Sequence, residues 1–364
     1  MAKKDTNEPE TKSDNIVKAL NLLNKKFGDG AVMTFSNATI KKVDAISTGS
    51  LGLDLALGVG GLPLGRAVEI YGPESSGKST ICMQVCAQAQ KQGYNVAYLD
   101  LENAFDPVYA KNLGIDLNNM LFAQPASGEE AFQIMETLLK EKLVNVIIFD
   151  SIASARTNAE LNGEVGDNFI GRQAKLMSDG LKKITPLANA ANCLCIFTNQ
   201  LRMKIGVMFG SPETTPGGEA MKFYASVRMR ISRVIKPIEG KGEAIGNETK
   251  VKIVKNKVAP PFREAVFDIL YNKGVDVDKE ILDMAVKFGF IQKAGAWFKY
   301  GEEKFQGKAG VAQWLTENPK TKEKLLEDIK MALLHEPDDD NVDTVEDEIE
   351  EDVKFDPDTG EILE

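Results

Sequence analysis

Four short stretches of the chain are almost wholly apolar, at residues 67–71, 96–101, 144–149 and 194–198. Between them apolar residues fall at helical spacing, at 81–92, 128–142 and 172–188. Strands that bury both faces read as unbroken apolar runs, and strands alternating with helices build a parallel sheet covered on each side. The pattern therefore predicts an α/β domain. Beyond residue 220 it becomes a meander of strands, at 223–231, 249–254 and 265–270. From about Val275 it changes again, to a helix bearing Ile281, Leu282, Ala285 and Phe288, an aromatic hairpin at Trp297-Phe298-Lys299-Tyr300, and two helices ending near Leu334. Ahead of the sheet, Asp14 is expected to cap a helix whose Ile16, Ala19, Leu20, Leu23 and Phe27 form one stripe, with Gly28 and Gly30 ending it. Such a stripe must be covered, either by the chain's own body or by a neighbouring subunit. Residues 46–65, rich in Gly and Leu, read as a turn-rich approach to the first strand.

These changes of texture divide the chain into a leader with its helix at 1–40, a core at 41–274, a small α+β domain at 275–335 and a tail at 336–364. With 43% apolar residues, the 364-residue chain can bury a substantial core. Charge is unevenly spread. Between Glu336 and Glu364 fifteen acidic residues face one basic residue, Lys354, so that segment is −14 and the formal net charge of −10 leaves +4 on residues 1–335. The tail reads as disordered, and the mildly basic remainder is open to a polyanionic partner. Cys82 and Cys86 lie one helical turn apart, Cys193 and Cys195 alternate along an apolar run, and His335 is the only histidine. Reduced buried thiols of a cytoplasmic protein are expected rather than disulfides or a Cys/His metal site. Residues 1–13 are polar and the longest apolar runs are of strand length, so neither a signal peptide nor a membrane span is expected.

Candidate chemistry begins where the first apolar strand ends. Gly72-Pro73-Glu74-Ser75-Ser76-Gly77-Lys78-Ser79-Thr80 fits G-x-x-x-x-G-K-[ST] between a strand and a helix, the setting of a phosphate-binding loop. Glycines allow successive N–H groups to turn onto an anion, and the following helix points its positive end there. Lys78 is then expected to reach the β and γ phosphates of ATP, and the Ser79 hydroxyl to meet Mg²⁺. Ligands of such sheets collect at the carboxyl ends of strands, where Glu102, Asp150 and Gln200 stand. Asp150 is expected to hold the metal's water shell, Glu102 to activate water or else cap a helix, and Gln200 to sense the γ phosphate. Two long segments flank these positions. Residues 202–218 contain Arg202, Met203, Lys204 and Ile205, and residues 162–171 lead into a helix bearing Arg172, Lys175, Lys182 and Lys183. Basic groups can hold phosphates and apolar tips can wedge between bases, although either segment alone could be a mobile lid.

Gly72 to Thr80, Asn199-Gln200-Leu201-Arg202-Met203-Lys204-Ile205-Gly206-Val207-Met208-Phe209-Gly210, Lys222-Phe223-Tyr224-Ala225-Ser226-Val227-Arg228, Lys255-Asn256-Lys257 and Lys293-Ala294-Gly295-Ala296-Trp297 follow one another in this order. Over about residues 14–334 the chain closely resembles the RecA family of bacterial recombinases. The resemblance implies an α/β fold with a mostly parallel central sheet, an N-terminal helix and a small C-terminal α+β domain. It also implies a DNA-dependent ATPase that forms helical filaments on single-stranded DNA, holds ATP and Mg²⁺ between subunits, and pairs that strand with a homologous duplex in repair. Asp106 and Tyr109 match adenine-contacting positions, Lys255 and Lys257 lysines that reach a neighbour's phosphates, and Phe223 a subunit contact. Ser178, Lys182, Met203, Ile205, Gly217 and Gly218 match DNA-contacting positions, and the acidic tail resembles one that restrains access of duplex DNA. A co-protease action on the repressor of the DNA-damage (SOS) response is implied as well. The chain departs from the family pattern at Lys175 and Lys182, which replace arginines, and at Arg172, Asp179-Gly180 and Glu219. Two other classes stay in view, a phosphate-loop kinase of a small metabolite and a scaffold that ATP binding assembles without need of hydrolysis.

Overall fold

A computed structural model describes residues 12–29, 31–34, 43–164, 169, 171–203, 213–240 and 242–335. Residues up to Ala45 form one compact unit and those from Ile46 another. In the first, the helix Lys12–Phe27 begins two residues before Asp14, so Asp14 stands within it and not at the N-cap position expected. Gly28 ends it at φ 101°. Asn24 then fastens the turn beyond, its amide donating to the Val32 carbonyl (3.0 Å) and its carbonyl accepting from Val32 N (2.9 Å). Ile16 and Phe27 of the stripe are more than half exposed.

The second unit is built on a nine-stranded sheet. In sheet order its strands are Gly274–Val275, Glu264–Leu270, Glu243–Asn256, Val227–Gly240, Ala67–Gly72, Leu194–Gln200, Val146–Asp150, Val96–Asp100 and Met120–Ala123. The six from Val227–Gly240 to Met120–Ala123 are parallel, and the rest join antiparallel as the meander. Alternate strand residues serve two apolar layers, as their period of two requires. Ile70, Tyr98, Ile148 and Ile196 pack with Ile81 and Val85 of the helix Lys78–Lys91 on one side. On the other, Leu99, Ile147, Phe149 and Phe197 meet Met135 and Leu181 of the helices Gly128–Lys140 and Arg172–Ala191. Each such side chain, removed from water entirely, stabilises the fold by about 1.5–3 kcal/mol.

Two further expectations are corrected. Residues 46–65 are not only turns, because Leu51–Leu57 is a helix started by Ser50, whose hydroxyl accepts from Leu53 N (3.1 Å), and ended by Gly58 in the left-handed region. Seven residues with Leu at every second position give no helical period to read. Phe223 belongs to a short helix, Ala220–Tyr224, and the strand expected from 223 begins at Val227. The helix Pro107–Asn112 and the edge strand Met120–Ala123, with its half-exposed Leu121 and Phe122, are elements the apolar pattern did not announce.

From Val277 the chain forms a helix, Val277–Lys287, an antiparallel sheet of Gln292–Ala294, Trp297–Tyr300 and Glu303–Gln306, and the helices Gly307–Glu317 and Pro319–His335. Ile281, Phe298, Val311, Leu315, Leu325 and Ile329 make their own apolar cluster, and Leu51 joins it. The acidic tail lies outside the described residues. All four cysteines are buried free thiols. Among the described residues no helix is long and apolar enough to cross a membrane.

One buried carboxylate ties the C-terminal region to the core. Glu280 accepts from Ser50 Oγ (2.7 Å), Leu51 N (3.1 Å) and Gly52 N (3.1 Å) at the start of the helix Leu51–Leu57. Burial pushes its carboxyl up to about 7 from an ordinary 4.5, against the lowering pull of those three donors and with the Asp54 charge adding to the rise. The folded chain therefore holds this proton more tightly than the unfolded one, so the stabilisation is complete below about pH 4.5 and is lost as pH rises through about 7. From this group alone stability is expected to fall by about 2 kcal/mol between about pH 5.5 and 8. Glu280→Gln should flatten that slope in thermal melts at matched ionic strength; a variant as steep as the parent would reject the assignment.

Candidate nucleotide-binding site

The strand Ala67–Gly72 enters the phosphate loop and the helix Lys78–Lys91 leaves it. Its two glycines are needed for different reasons. A Cβ on Gly72 would lie 2.1 Å from the Ile231 carbonyl oxygen, whereas Gly77 sits at φ 97°. No side chain caps the helix at Gly77, so its first-turn amides are available to an anion. Lys78 Nζ rests on the carbonyl oxygens of Pro73 (2.7 Å) and Gly72 (3.3 Å). Burial lowers its pKa, and the charges of Glu102 and Asp150 oppose that shift. Ser76 closes the loop by donating to Pro73 O (2.8 Å).

A cavity of about 550 Å³ gathers loop residues 74–80 with Glu102, Asp106, Tyr109, Asp150 and Gln200. Strand register explains the gathering, since Asp100 pairs with Asp150 and Gly72 with Gln200 at the carboxyl ends of parallel strands. Asp150 is buried and accepts three hydroxyls, from Ser79 (3.1 Å) and Tyr98 (2.5 Å) on Oδ2 and from Thr198 (2.5 Å) on Oδ1. Burial, with the Asp150 charge beside it, keeps the Tyr98 phenol protonated well above its ordinary range. Glu102 accepts from Ser151 Oγ (2.6 Å), and its own N–H donates to Asp150 O (3.3 Å). Glu102 caps no helix. That role falls to Asp106, which accepts from Val108 N (2.8 Å) and Tyr109 N (3.0 Å), while Tyr109 and Thr80 share a hydroxyl contact of 3.0 Å.

Several lining residues escaped the sequence reading. Asn247, Thr249 and Ile269 of the antiparallel strands, with Tyr271 and Asn272 of the turn after Leu270, complete the cavity, and Asn247 Nδ2 donates to the Tyr271 hydroxyl (2.9 Å). The one available signal was a polar pair, Tyr271-Asn272, closing an apolar strand. Asp100 shapes the wall from below by accepting from Ala104 N (3.3 Å), Phe105 N (3.2 Å) and Gln124 Nε2 (3.1 Å).

Beneath Gln200 lies a buried polar knot. Asn199 Nδ2 donates to Glu69 Oε1 (3.0 Å) and to Pro216 O (3.1 Å), and Arg228 Nε donates to Glu69 Oε2 (2.5 Å). The guanidinium also stands 5.0 Å over the Tyr71 ring. Three neighbouring strands and the end of the 202–218 segment are thereby joined beside the γ-phosphate candidate.

Of the DNA candidates, Met203 and Arg202 are exposed on a two-residue strand paired with Glu213–Thr214, and Ile205 with Lys204 lies outside the described residues. Arg172, Lys175, Ser178 and Lys182 are exposed on the helix Arg172–Ala191, Arg172 standing 5.1 Å over the Phe169 ring. Gly217 and Gly218 have φ of 83° and 71°, and a Cβ on either would come within 2.8 Å of Ile152 or Ala174. These two glycines let the base of one segment lie against the helix that follows the other. Glu219 is matched by Lys222 (2.8 Å). Neither Lys255 nor Lys257 lines the cavity. Lys255 Nζ donates to Lys222 O (2.6 Å) and Phe223 O (3.2 Å), and burial, then Lys257 and Arg228, lowers its pKa. Phe223 is 72% exposed.

Gly180 has a reason in packing. A Cβ there would meet the Phe132 ring at 2.5 Å, so its absence lets the helices Arg172–Ala191 and Gly128–Lys140 approach closely. Helix propensity alone gives Gly180→Ala a gain of about 1 kcal/mol. The clash is expected to win, with a loss of about 1–3 kcal/mol in urea unfolding; a more stable variant would show that the ring yields.

The family model described as the RecA N-terminal domain matches residues 14–276, and that described as the RecA C-terminal domain matches residues 279–334. Among curated relatives named Protein RecA, that of Mannheimia haemolytica is 51% identical over 353 residues, covering 94% of this chain and 95% of its own length. That of Haemophilus ducreyi is 50% identical over 352 residues, 96% of this chain and 94% of its own. That of Acinetobacter baylyi is 52% identical over 326 residues, 89% of this chain and 93% of its own.

Proposed function

The chain belongs to the RecA family, and from that membership we propose a DNA-dependent ATPase that forms filaments on single-stranded DNA and catalyses homologous pairing and strand exchange in recombinational repair. The kinase reading finds no support, since both family models and the relatives point to recombination. The observation that carries the ATPase reading is the single cavity joining the phosphate loop to Glu102, Asp150 and Gln200.

In this reading the loop amides and Lys78 bind the triphosphate, and the cavity wall holding Asp106, Tyr109 and Tyr271 receives the base. An all-oxygen donor pair, the Ser79 hydroxyl 3.1 Å from the Asp150 carboxylate, fits a hard cation such as Mg²⁺. When bound, that ion would neutralise part of the charge of the triphosphate. Glu102, fixed at both its backbone and its carboxylate to Asp150 and Ser151, takes a proton from the attacking water. Gln200 contacts the γ phosphate, and its loss is transmitted through Asn199 and Pro216 to the 202–218 segment. Arg172, Lys175, Ser178, Lys182, Arg202, Met203, Ile205, Gly217 and Gly218 meet the DNA. Lys255, Lys257 and Phe223 face a neighbouring subunit in the filament, as does the helix Lys12–Phe27. The damage-response repressor as a partner and a cytoplasmic location complete the proposal.

Single-stranded DNA is expected to raise ATP turnover many-fold, and Lys78→Ala to lower it by about a hundredfold or more. Phosphate release with and without DNA measures both, and turnover indifferent to DNA would defeat the proposal. Glu102→Gln filaments that still complete strand exchange would assign pairing to ATP binding rather than cleavage.

A further inference from the structure

The carboxylate of Asp150 is held from both sides by hydroxyls that the reaction does not itself require. Val146–Asp150 lies between Val96–Asp100 and Leu194–Gln200 in the sheet. Tyr98, from the first neighbour, donates to Oδ2, and Thr198, from the second, donates to Oδ1, each at 2.5 Å. Both side chains are buried, and the Tyr98 ring is locked against Phe105 in an edge contact with centroids 4.9 Å apart.

We propose that Tyr98 and Thr198 form a hydroxyl clamp that fixes the plane of the Asp150 carboxylate, and that they are positioning residues for the metal's water shell. The inference rests on the Mg²⁺-ATP reading of this cavity. An ionised carboxylate has about four acceptor sites and no donor, so each hydroxyl proton must point at it. Three sites are taken here, one on Oδ1 by Thr198 and two on Oδ2 by Tyr98 and Ser79. If Ser79 turns to the cation, the Oδ2 site it leaves joins the second site on Oδ1, and the two can accept from bound water. The Tyr98 and Thr198 bonds persist and keep those two sites aimed. A carboxylate held by one hydroxyl can rotate about its Cβ–Cγ bond; held on both oxygens from two strands, it cannot without breaking a charge-assisted bond.

A simpler account is that two buried hydroxyls need an acceptor and Asp150 happens to provide it. The accounts differ in what metal binding does. If the bonds only satisfy burial, removing a hydroxyl lowers stability and leaves the Mg²⁺ response unchanged. If they position the carboxylate, the response moves.

Tyr98→Phe keeps the ring and Thr198→Val keeps the shape, so both preserve packing while deleting one donor. The test is binding of a fluorescent ATP analogue to the full chain as Mg²⁺ is titrated, with affinity in EDTA and the thermal midpoint measured alongside. Half-saturating Mg²⁺ is expected to rise about tenfold in each variant, while affinity in EDTA stays within about twofold. Thr198→Ser, which keeps the hydroxyl, should restore the wild-type curve, and Mn²⁺ bound in the nucleotide complex, read by electron paramagnetic resonance, should loosen in the same order. Variants whose Mg²⁺ curves superimpose on a responsive wild type overturn the clamp and leave the site reading standing. A wild-type chain whose nucleotide affinity ignores Mg²⁺ overturns both.

Discussion

Parallel strand register is the constraint from which the site follows. Six strands run the same way, and their carboxyl ends fall level enough to pair Gly72 with Gln200 and Asp100 with Asp150. A loop leaving one such end is unavoidably beside the loops leaving its neighbours. Shifting one strand by a single residue would turn its side chains to the opposite face, so the two apolar layers that fill the sheet's faces also hold the polar ends in place. The core thus fixes the spacing of the chemistry, and through the Tyr98 hydroxyl it also touches it.

Polar contacts then convert proximity into rigidity on one side and responsiveness on the other. Asp150 and Asp100 each gather at least three donors, and Glu102 is bound at two points, so the Asp150 and Glu102 side of the cavity is closely braced. On the Gln200 side the fastening includes a knot of Glu69, Arg228 and Asn199, whose Oδ1 accepts from Gln200 N (2.9 Å). Glu69 is fully buried, and losing either member of such an ion pair costs about 3–5 kcal/mol. Asn199 spends one proton on Glu69 and the other on Pro216 O, which makes it one tie between a fixed core and the 202–218 segment, beside the ion pair of Arg230 with Glu213. A displacement of the Gln200 backbone, itself continuous with Asn199, is therefore felt at the base of that segment, where Gly217 and Gly218 touch the helix Arg172–Ala191. The base of the 202–218 segment lies against the helix that follows residues 162–171 because Gly217 and Gly218 carry no Cβ.

The layout of the core was legible because buried parallel strands write themselves as apolar runs and a phosphate loop needs fixed spacing. Gly72, Gly77, Lys78 and Ser79 could be placed for that reason, and so could Glu102 and Asp150 at strand ends. The helix Leu51–Leu57 was not legible, since it spans barely two turns and is recognised only from its caps at Ser50 and Gly58. Nor were Asn247 and Tyr271, which reach the cavity from an antiparallel strand and the turn after Leu270, more than a hundred residues downstream and without a motif. The hydroxyls of Tyr98 and Thr198 lay hidden inside apolar runs, where Tyr and Thr read simply as good strand formers. Gly180 looked like a defect in a helix because propensity is local, whereas its cause, the Phe132 ring, is some fifty residues away in sequence.

Charge balance in the cavity bears on why one subunit would be insufficient. Among the described residues lining it, Lys78 is the one lysine or arginine, against the carboxylates Glu74, Glu102, Asp106 and Asp150. A nucleoside triphosphate adds roughly four negative charges and a divalent cation returns only two, so the occupied cavity is strongly anionic. Transition-state charge on the γ phosphate needs further cations, and a low-dielectric site raises the energy of leaving it uncompensated. Lys255 and Lys257 have such charge but do not line this cavity, and Lys255 is already folded back onto two carbonyl oxygens, with its ammonium made less basic by burial and by its cationic neighbours. An ammonium so placed gains by meeting an anion from outside its own chain. In the proposed filament the deficit of positive charge at one surface would meet the crowding of it at another, and head-to-tail repetition of such a contact, where rotation does not close a ring, would generate a helix.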